Sequence, residues 1–124
     1  MKKPVRVLLV EDNDVYRESL AFLLGRRDEV EVVGEVATGS EAAAASGRLD
    51  VDVAVVDFRL PDIDGAEAAH AVRERSPATS VVFLSASAGT DERDAARMSG
   101  FVLVQKDDGI DALVNAILTS AKST

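Results

Sequence analysis

Short apolar runs alternate with helix-period patterns along the chain. Val5 to Val10, three valines and two leucines around Arg6, follows Pro4 and precedes Glu11-Asp12, and reads as a buried strand. Val15 to Leu24, with Leu20, Leu23 and Leu24 at helical spacing, predicts a helix stopped by Gly25. Glu31 to Val36 is a second strand, and Thr38-Gly39-Ser40-Glu41 has the spacing of a capping box that opens an alanine-rich helix. Val51 to Val56 predicts a third strand, apolar except for Asp52. Asp64 with Glu67 repeats the capping spacing, and that helix should run to about Arg75, before Pro77. Ser80 to Leu84, Asp91 to Ser99, Phe101 to Val104 and Asp108 to Ala121 continue the series as strand, helix, strand and helix, with Gly100 ending the fourth helix.

Five strands, each followed by a helix, imply an α/β fold with a parallel sheet covered on both faces. Right-handed crossovers leave few doubly wound topologies, and the flavodoxin-like strand order 2-1-3-4-5 is the one adopted here. Such folds bind ligands beyond the carboxyl ends of the strands, near the point where the order reverses. One domain over residues 1–124 is expected; residues 119–124 have the composition of a linker and suit the start of a tether.

Composition narrows the classes. The 124 residues are 47% hydrophobic and 29% charged, the balance of a chain that buries a core. No apolar run reaches the roughly 18 residues of a membrane span, and Val5–Val10 is too short for a signal-peptide core. Without cysteine there is no disulfide framework or thiolate metal site, which fits a cytoplasmic location. A formal charge of -8 disfavours direct binding to nucleic acid.

The chemistry lies at the strand ends. Glu11 and Asp12 follow the first strand, Asp57 ends the third, Ser85 follows the fourth and Lys106 the fifth. The predicted topology converges these ends in one crevice holding three carboxylates, a hydroxyl and an ammonium. Clustered carboxylates repel one another unless a cation intervenes. Magnesium, a hard ion that takes oxygen ligands, suits such a set and would also neutralise charge on a phosphoryl group. Asp57 could then serve as a carboxylate nucleophile, with Lys106 and Ser85 engaging phosphate oxygens. Singly, each residue has an ordinary explanation as a turn former, cap or solvated charge. Those explanations must all coincide at successive strand ends in order, which makes them jointly poor.

Val7–Asp12, Val55–Gly65, Leu84-Ser85-Ala86 and Lys106 resemble the receiver domains of bacterial response regulators, the CheY-like family, and the resemblance covers essentially the whole chain. It implies Mg2+ on Glu11, Asp12, Asp57 and the backbone carbonyl of Arg59. It makes Asp57 the phosphoacceptor, Ser85 the switch hydroxyl and Lys106 the phosphate-binding lysine. It also implies a sensor histidine kinase as phosphodonor, phosphorylation-dependent homodimerisation, and a phosphoacceptor that assists its own phosphorylation and dephosphorylation rather than an ordinary enzyme. The stretch Val32–Gly39 and the pair Lys106-Asp107 resemble the LuxR/NarL-type subfamily, whose receivers precede a helix-turn-helix DNA-binding domain. Output would then be transcriptional, through a domain outside this chain; a stand-alone receiver acting by protein contact is the alternative.

One feature departs from the family. An aromatic residue usually stands three positions before the lysine, where this chain has Leu103. Strand parity puts Phe101 on the same face as Leu103, so either Phe101 is a displaced aromatic switch or that part of the switch is missing. His70 reads as a surface residue, Asp62 and Asp64 as a turn and a helix cap, and Gly34, Gly39 and Gly47 form no phosphate-binding fingerprint. A magnesium-dependent phosphatase of the haloacid-dehalogenase type is the competing enzyme class. It needs a second aspartate two positions after the nucleophile, and Arg59 stands there. A degenerate receiver would lack Asp57 or Lys106, and a flavin site would need a phosphate loop and stacking aromatics.

Overall fold

The computed structural model describes residues 3–86 and 101–122. Five strands, β1 (Val5–Val10), β2 (Val30–Val36), β3 (Val53–Asp57), β4 (Ser80–Ser85) and β5 (Val102–Gln105), form one sheet in the order β2-β1-β3-β4-β5. Every neighbouring pair is parallel, which gives the flavodoxin-like order expected from the sequence. The helices among the described residues are α1 (Asp14–Gly25), α2 (Gly39–Leu49), α3 (Gly65–Arg75) and α4 (Ile110–Lys122), with a 3-10 turn at Lys106–Asp108. Here α4 is the fifth helix of the sequence reading; the expected helix Asp91–Ser99 and its stop at Gly100 lie outside the described residues. No helix among the described residues is long and apolar enough to cross a membrane.

The near-continuous apolar strands reflect burial on both faces, and their period of two divides the core. Leu8, Val10, Ala54, Val56, Val81 and Phe83 face Ala42, Ala45, Ala68, Ala69 and Val72 of α2 and α3. Val7, Leu9, Val53, Val55, Val82 and Leu84 face Leu20 and Leu24 of α1 and Leu113, Val114 and Ile117 of α4. Fully burying one such Val, Leu or Phe side chain stabilises by about 1.5–3 kcal/mol. A one-residue slip of a strand would exchange the two sets and misfit both cores.

Several boundaries differ from the sequence expectation for local reasons. β3 starts at Val53 rather than Val51 because Asp52 turns outward: its carboxylate accepts from the Arg6 N–H at 2.9 Å. Gly25 is the last residue of α1 and not its stop; Arg26, in a right-handed conformation, closes the helix. Asp108 belongs to the 3-10 turn, and Gly109, at φ 94°, redirects the chain before α4 begins at Ile110. Thr119 to Lys122 are helical, so that part of the linker-like segment extends α4. The N-cap half of each expected capping box is present: the Thr38 hydroxyl accepts from the Glu41 N–H at 3.3 Å, and the Asp64 carboxylate accepts from the Glu67 N–H at 2.8 Å.

Candidate phosphoacceptor and metal site

Four of the five strands deliver groups to the carboxyl end of the sheet: Glu11 and Asp12 after β1, Asp57 on β3, Ser85 on β4 and Lys106 after β5. The ladder of β1 ends as the Glu11 N–H donates to the Val36 carbonyl at 3.1 Å. The chain then turns sharply, because Asn13 caps α1 by accepting from the Tyr16 N–H at 2.9 Å. Asp57 is the last residue of β3, and Phe58 still bonds to the Leu84 carbonyl at 3.0 Å. Gly65 then brings α3 back against this strand end. A Cβ there would stand 2.6 Å from Phe58 Cα and 2.9 Å from the Asp57 carbonyl oxygen, both immovable backbone, so only glycine permits the approach. The intervening loop is tied down by Asp62, whose carboxylate accepts from the Gly39 and Ser40 N–H groups at 2.9 Å each and from the Ser40 hydroxyl. Asp62 thus does more than the turn expected of it: it joins the loop to the start of α2. The Ser40 hydroxyl and the Gly39 N–H hold its carboxyl well below the usual carboxylate range.

Glu11, Asp12 and Asp57 each offer an oxygen within 4.8 Å of the others, the convergence expected from the sequence. Glu11 and Asp57 are buried and Asp12 is exposed, which leaves the cluster open on one side. Lys106 reaches in from the end of β5. Its Nζ donates to Glu11 Oε1 at 2.6 Å and to Asp57 Oδ2 at 2.9 Å. The other Asp57 oxygen, Oδ1, accepts from the Arg59 N–H at 2.9 Å. Arg59 is therefore held at the site by its own backbone and by a bridge to Asp64. Ser85 is buried as the last residue of β4, paired with Gln105, one residue before Lys106.

The donor set fits a hard divalent cation, being all oxygen, anionic and partly open. A cation already stands among these oxygens: the ammonium of Lys106 bridges the two buried carboxylates. Burial is the main cause that raises Glu11, to about 7, and its hydrogen bond with Asp57 adds to this against the opposing pull of Lys106. For Lys106, burial acts downward, but its bonds to Glu11 and Asp57 outweigh it, and the net direction is up.

A pH dependence follows. Glu11 ordinarily ionises near 4.5, and its folded value is raised, so its stabilising contribution is full below about 4.5 and is lost as pH rises through about 7. In EDTA, the fall in melting temperature between pH 5.5 and pH 8 should be smaller for Glu11→Gln than for the wild type. The gap should be several degrees, since about 1 kcal/mol corresponds to roughly 3–6 °C at this size. Parallel melting curves for the two proteins check this.

Tyr16 and Arg17 carried no signal in the sequence beyond their place in a helical pattern. The Tyr16 ring lies under Lys106, 4.3 Å from Nζ to the ring centroid. Arg17 Nη1 donates to the Glu11 carbonyl at 2.7 Å. Asn13, two residues before the predicted helix, is not among the caps expected from the sequence, although its residue type was an available signal. Phe101, just before β5, is buried in the α2/α3 core with Leu103 packed against the same cluster. It makes an edge contact with Phe83 at 5.4 Å and lies against His70 at 6.0 Å and Arg73 at 5.5 Å. His70 itself is exposed on α3.

Residues 7–118 match the response regulator receiver domain, and the chain belongs to that family. It is 30% identical over 118 residues to the transcriptional regulatory protein LnrK of Bacillus subtilis, covering 93% of this chain and 53% of that protein. Against the response regulator VraR of Staphylococcus aureus the figures are 33% over 81 residues, 65% of this chain and 39% of VraR. The signal receiver domain of NarL from Mycobacterium tuberculosis superposes with a TM-score of 0.91 at 32% identity, covering 99% of this chain and all of that one, 100%. The chain spans about half the length of the curated relatives it matches, or less. It is the receiver domain of a two-component response regulator, related to the LuxR/NarL-type regulators. Receivers of this kind are regulatory phosphoacceptors; they bind Mg2+ at an acidic pocket and are phosphorylated by sensor histidine kinases.

Proposed function

We propose that Asp57 accepts a phosphoryl group from a phosphohistidine of a partner kinase in the cytoplasm, with Mg2+ held by Glu11, Asp12, Asp57 and the Arg59 carbonyl. One observation carries this reading: three carboxylates each place an oxygen within 4.8 Å of the others, and the Lys106 ammonium is bonded to the two carboxylates that are buried. When bound, the metal supplies charge neutralisation for the transferring phosphoryl oxygens. Asp57 contributes a carboxylate oxygen that forms the new P–O bond as the P–N bond to the donor imidazole breaks and the imidazole leaves with that electron pair. The Arg59 N–H steadies one Asp57 oxygen during this step. Lys106, already in reach of Asp57, exchanges its Glu11 contact for a phosphoryl oxygen. Ser85, at the end of β4, donates its hydroxyl to another.

The experiment is intact-mass spectrometry after incubation with acetyl phosphate. One added phosphoryl group is expected with Mg2+, and little or none in EDTA. Equal uptake in both would remove the metal from the reading.

The output assigned to this domain is a population shift that alters self-association and, in a longer protein, an attached DNA-binding domain. Residues 1–124 act as one receiver unit in that arrangement, and a tether to the effector would follow α4. Support for a route through Phe101 comes from its ring contact with Phe83, which lies two residues before Ser85 on β4. Truncating this buried ring to alanine would cost about 3–5 kcal/mol and confuse the result, so Phe101→Leu is the cleaner variant. It should be phosphorylated at close to the wild-type rate yet show weaker beryllofluoride-dependent self-association by light scattering. Wild-type behaviour in both would leave Phe101 and Leu103 as core residues only.

A further inference from the structure

The Glu11 carbonyl lies beyond the β1 ladder and ahead of the first bond of α1, which runs from the Arg17 N–H to the Asn13 carbonyl at 2.9 Å. Neither element's backbone satisfies it. Arg17 does, from one turn into α1, with Nη1 at 2.7 Å. The same guanidinium bonds Asp14 Oδ1 through Nη2 at 2.8 Å and turns Nε toward Glu35 Oε1 on β2, 3.5 Å away. Its side chain is only 14% exposed and is anchored by the two hydrogen bonds, while Nε has an ion-pair contact with Glu35 but no hydrogen bond. The peptide joining Glu11 to Asp12 carries that carbonyl, and its orientation sets the directions in which the two acidic side chains leave the backbone.

We propose that Arg17 is a positioning residue for the metal site, fixing the Glu11–Asp12 peptide so that both carboxylates converge on Asp57. This rests on the reading of that cluster as a Mg2+ site. The electrostatic and positional effects of Arg17 have opposite signs, which makes the inference testable. A positive charge near the site repels a cation, so its removal alone would tighten Mg2+ binding. Loss of positioning would weaken it.

The test is Mg2+ titration of Arg17→Met, which keeps the aliphatic stem and loses every donor. Tyr16 is the only tyrosine in a chain without tryptophan, and its ring lies against Lys106, so its fluorescence reads the site without reference to phosphorylation. The expected result is a dissociation constant about tenfold higher than wild type, the usual scale for losing a group that orients metal ligands. Arg17→Lys, which keeps the charge but cannot span three partners, should also bind more weakly than wild type; it serves as the variant if Arg17→Met does not fold. Unchanged or tighter Mg2+ binding would overturn the inference, because a residue that merely knits α1 to β2 would alter the melting temperature in EDTA and leave affinity alone. Asp12→Ala separates the two levels. If it binds Mg2+ as wild type does, the metal site itself is misassigned; if it loses Mg2+ while Arg17→Met does not, only the role of Arg17 fails.

Discussion

Asp57→Asn should take up phosphoryl groups at least roughly a hundredfold more slowly than wild type, because an amide lacks the anionic oxygen that attacks phosphorus. The substitution preserves volume at a buried strand end and removes one of three clustered negative charges. The fold is therefore expected to survive, with Lys106 keeping its bond to Glu11. Incubation of both proteins with acetyl phosphate and Mg2+, followed over time by intact mass, gives the comparison. Uptake by Asp57→Asn within a few-fold of wild type would move the acceptor to another residue.

Asp12→Ala has the second large expected effect, on metal affinity. Asp12 is the exposed member of the cluster, so it can be removed without leaving a cavity or an unpaired buried group. Losing a direct ligand should weaken Mg2+ at least about tenfold, the lower bound set by losses of groups that only orient ligands. At a hundredfold excess over its dissociation constant, a ligand stabilises the folded state by about 2.7 kcal/mol, and a tenfold weaker one by about 1.4 kcal/mol. The rise in melting temperature on adding Mg2+ should accordingly fall to about half or less. In EDTA the variant should be as stable as wild type or slightly more so, since one repelling charge is gone. An undiminished Mg2+-induced rise would count against the site.

Most of the fold was legible because burial on both faces writes parallel strands as unbroken apolar runs. Val7–Val10, Val53–Val56 and Val81–Leu84 carry the two cores by simple alternation. Where polar residues interrupt, boundaries moved: the Asp52 carboxylate takes the Arg6 N–H while its backbone still bonds to both flanking segments, and Asp108 serves the 3-10 turn, where its carboxylate accepts from the Gln105 N–H at 3.0 Å. The convergence of Glu11, Asp12, Asp57 and Lys106 was legible because all four stand at strand ends, and topology alone brings strand ends together. The supporting groups were not. Arg17 acts through a backbone carbonyl six residues back, and Asp62 through N–H groups on another helix. Backbone partners leave no residue-type signature. Phe101 shared its predicted face with Leu103, but strand parity could not say that His70 and Arg73 of α3 would close over its ring.

Phosphoryl transfer is proposed to end on the Asp57 carboxylate. Sodium borohydride reduces an aspartyl-phosphate to homoserine, which marks the acceptor permanently. The protein should be treated with acetyl phosphate and Mg2+, reduced, digested and sequenced by tandem mass spectrometry. Homoserine at position 57 alone is the result expected here; homoserine at Asp12 or another carboxylate, with Asp57 unmodified, would contradict it.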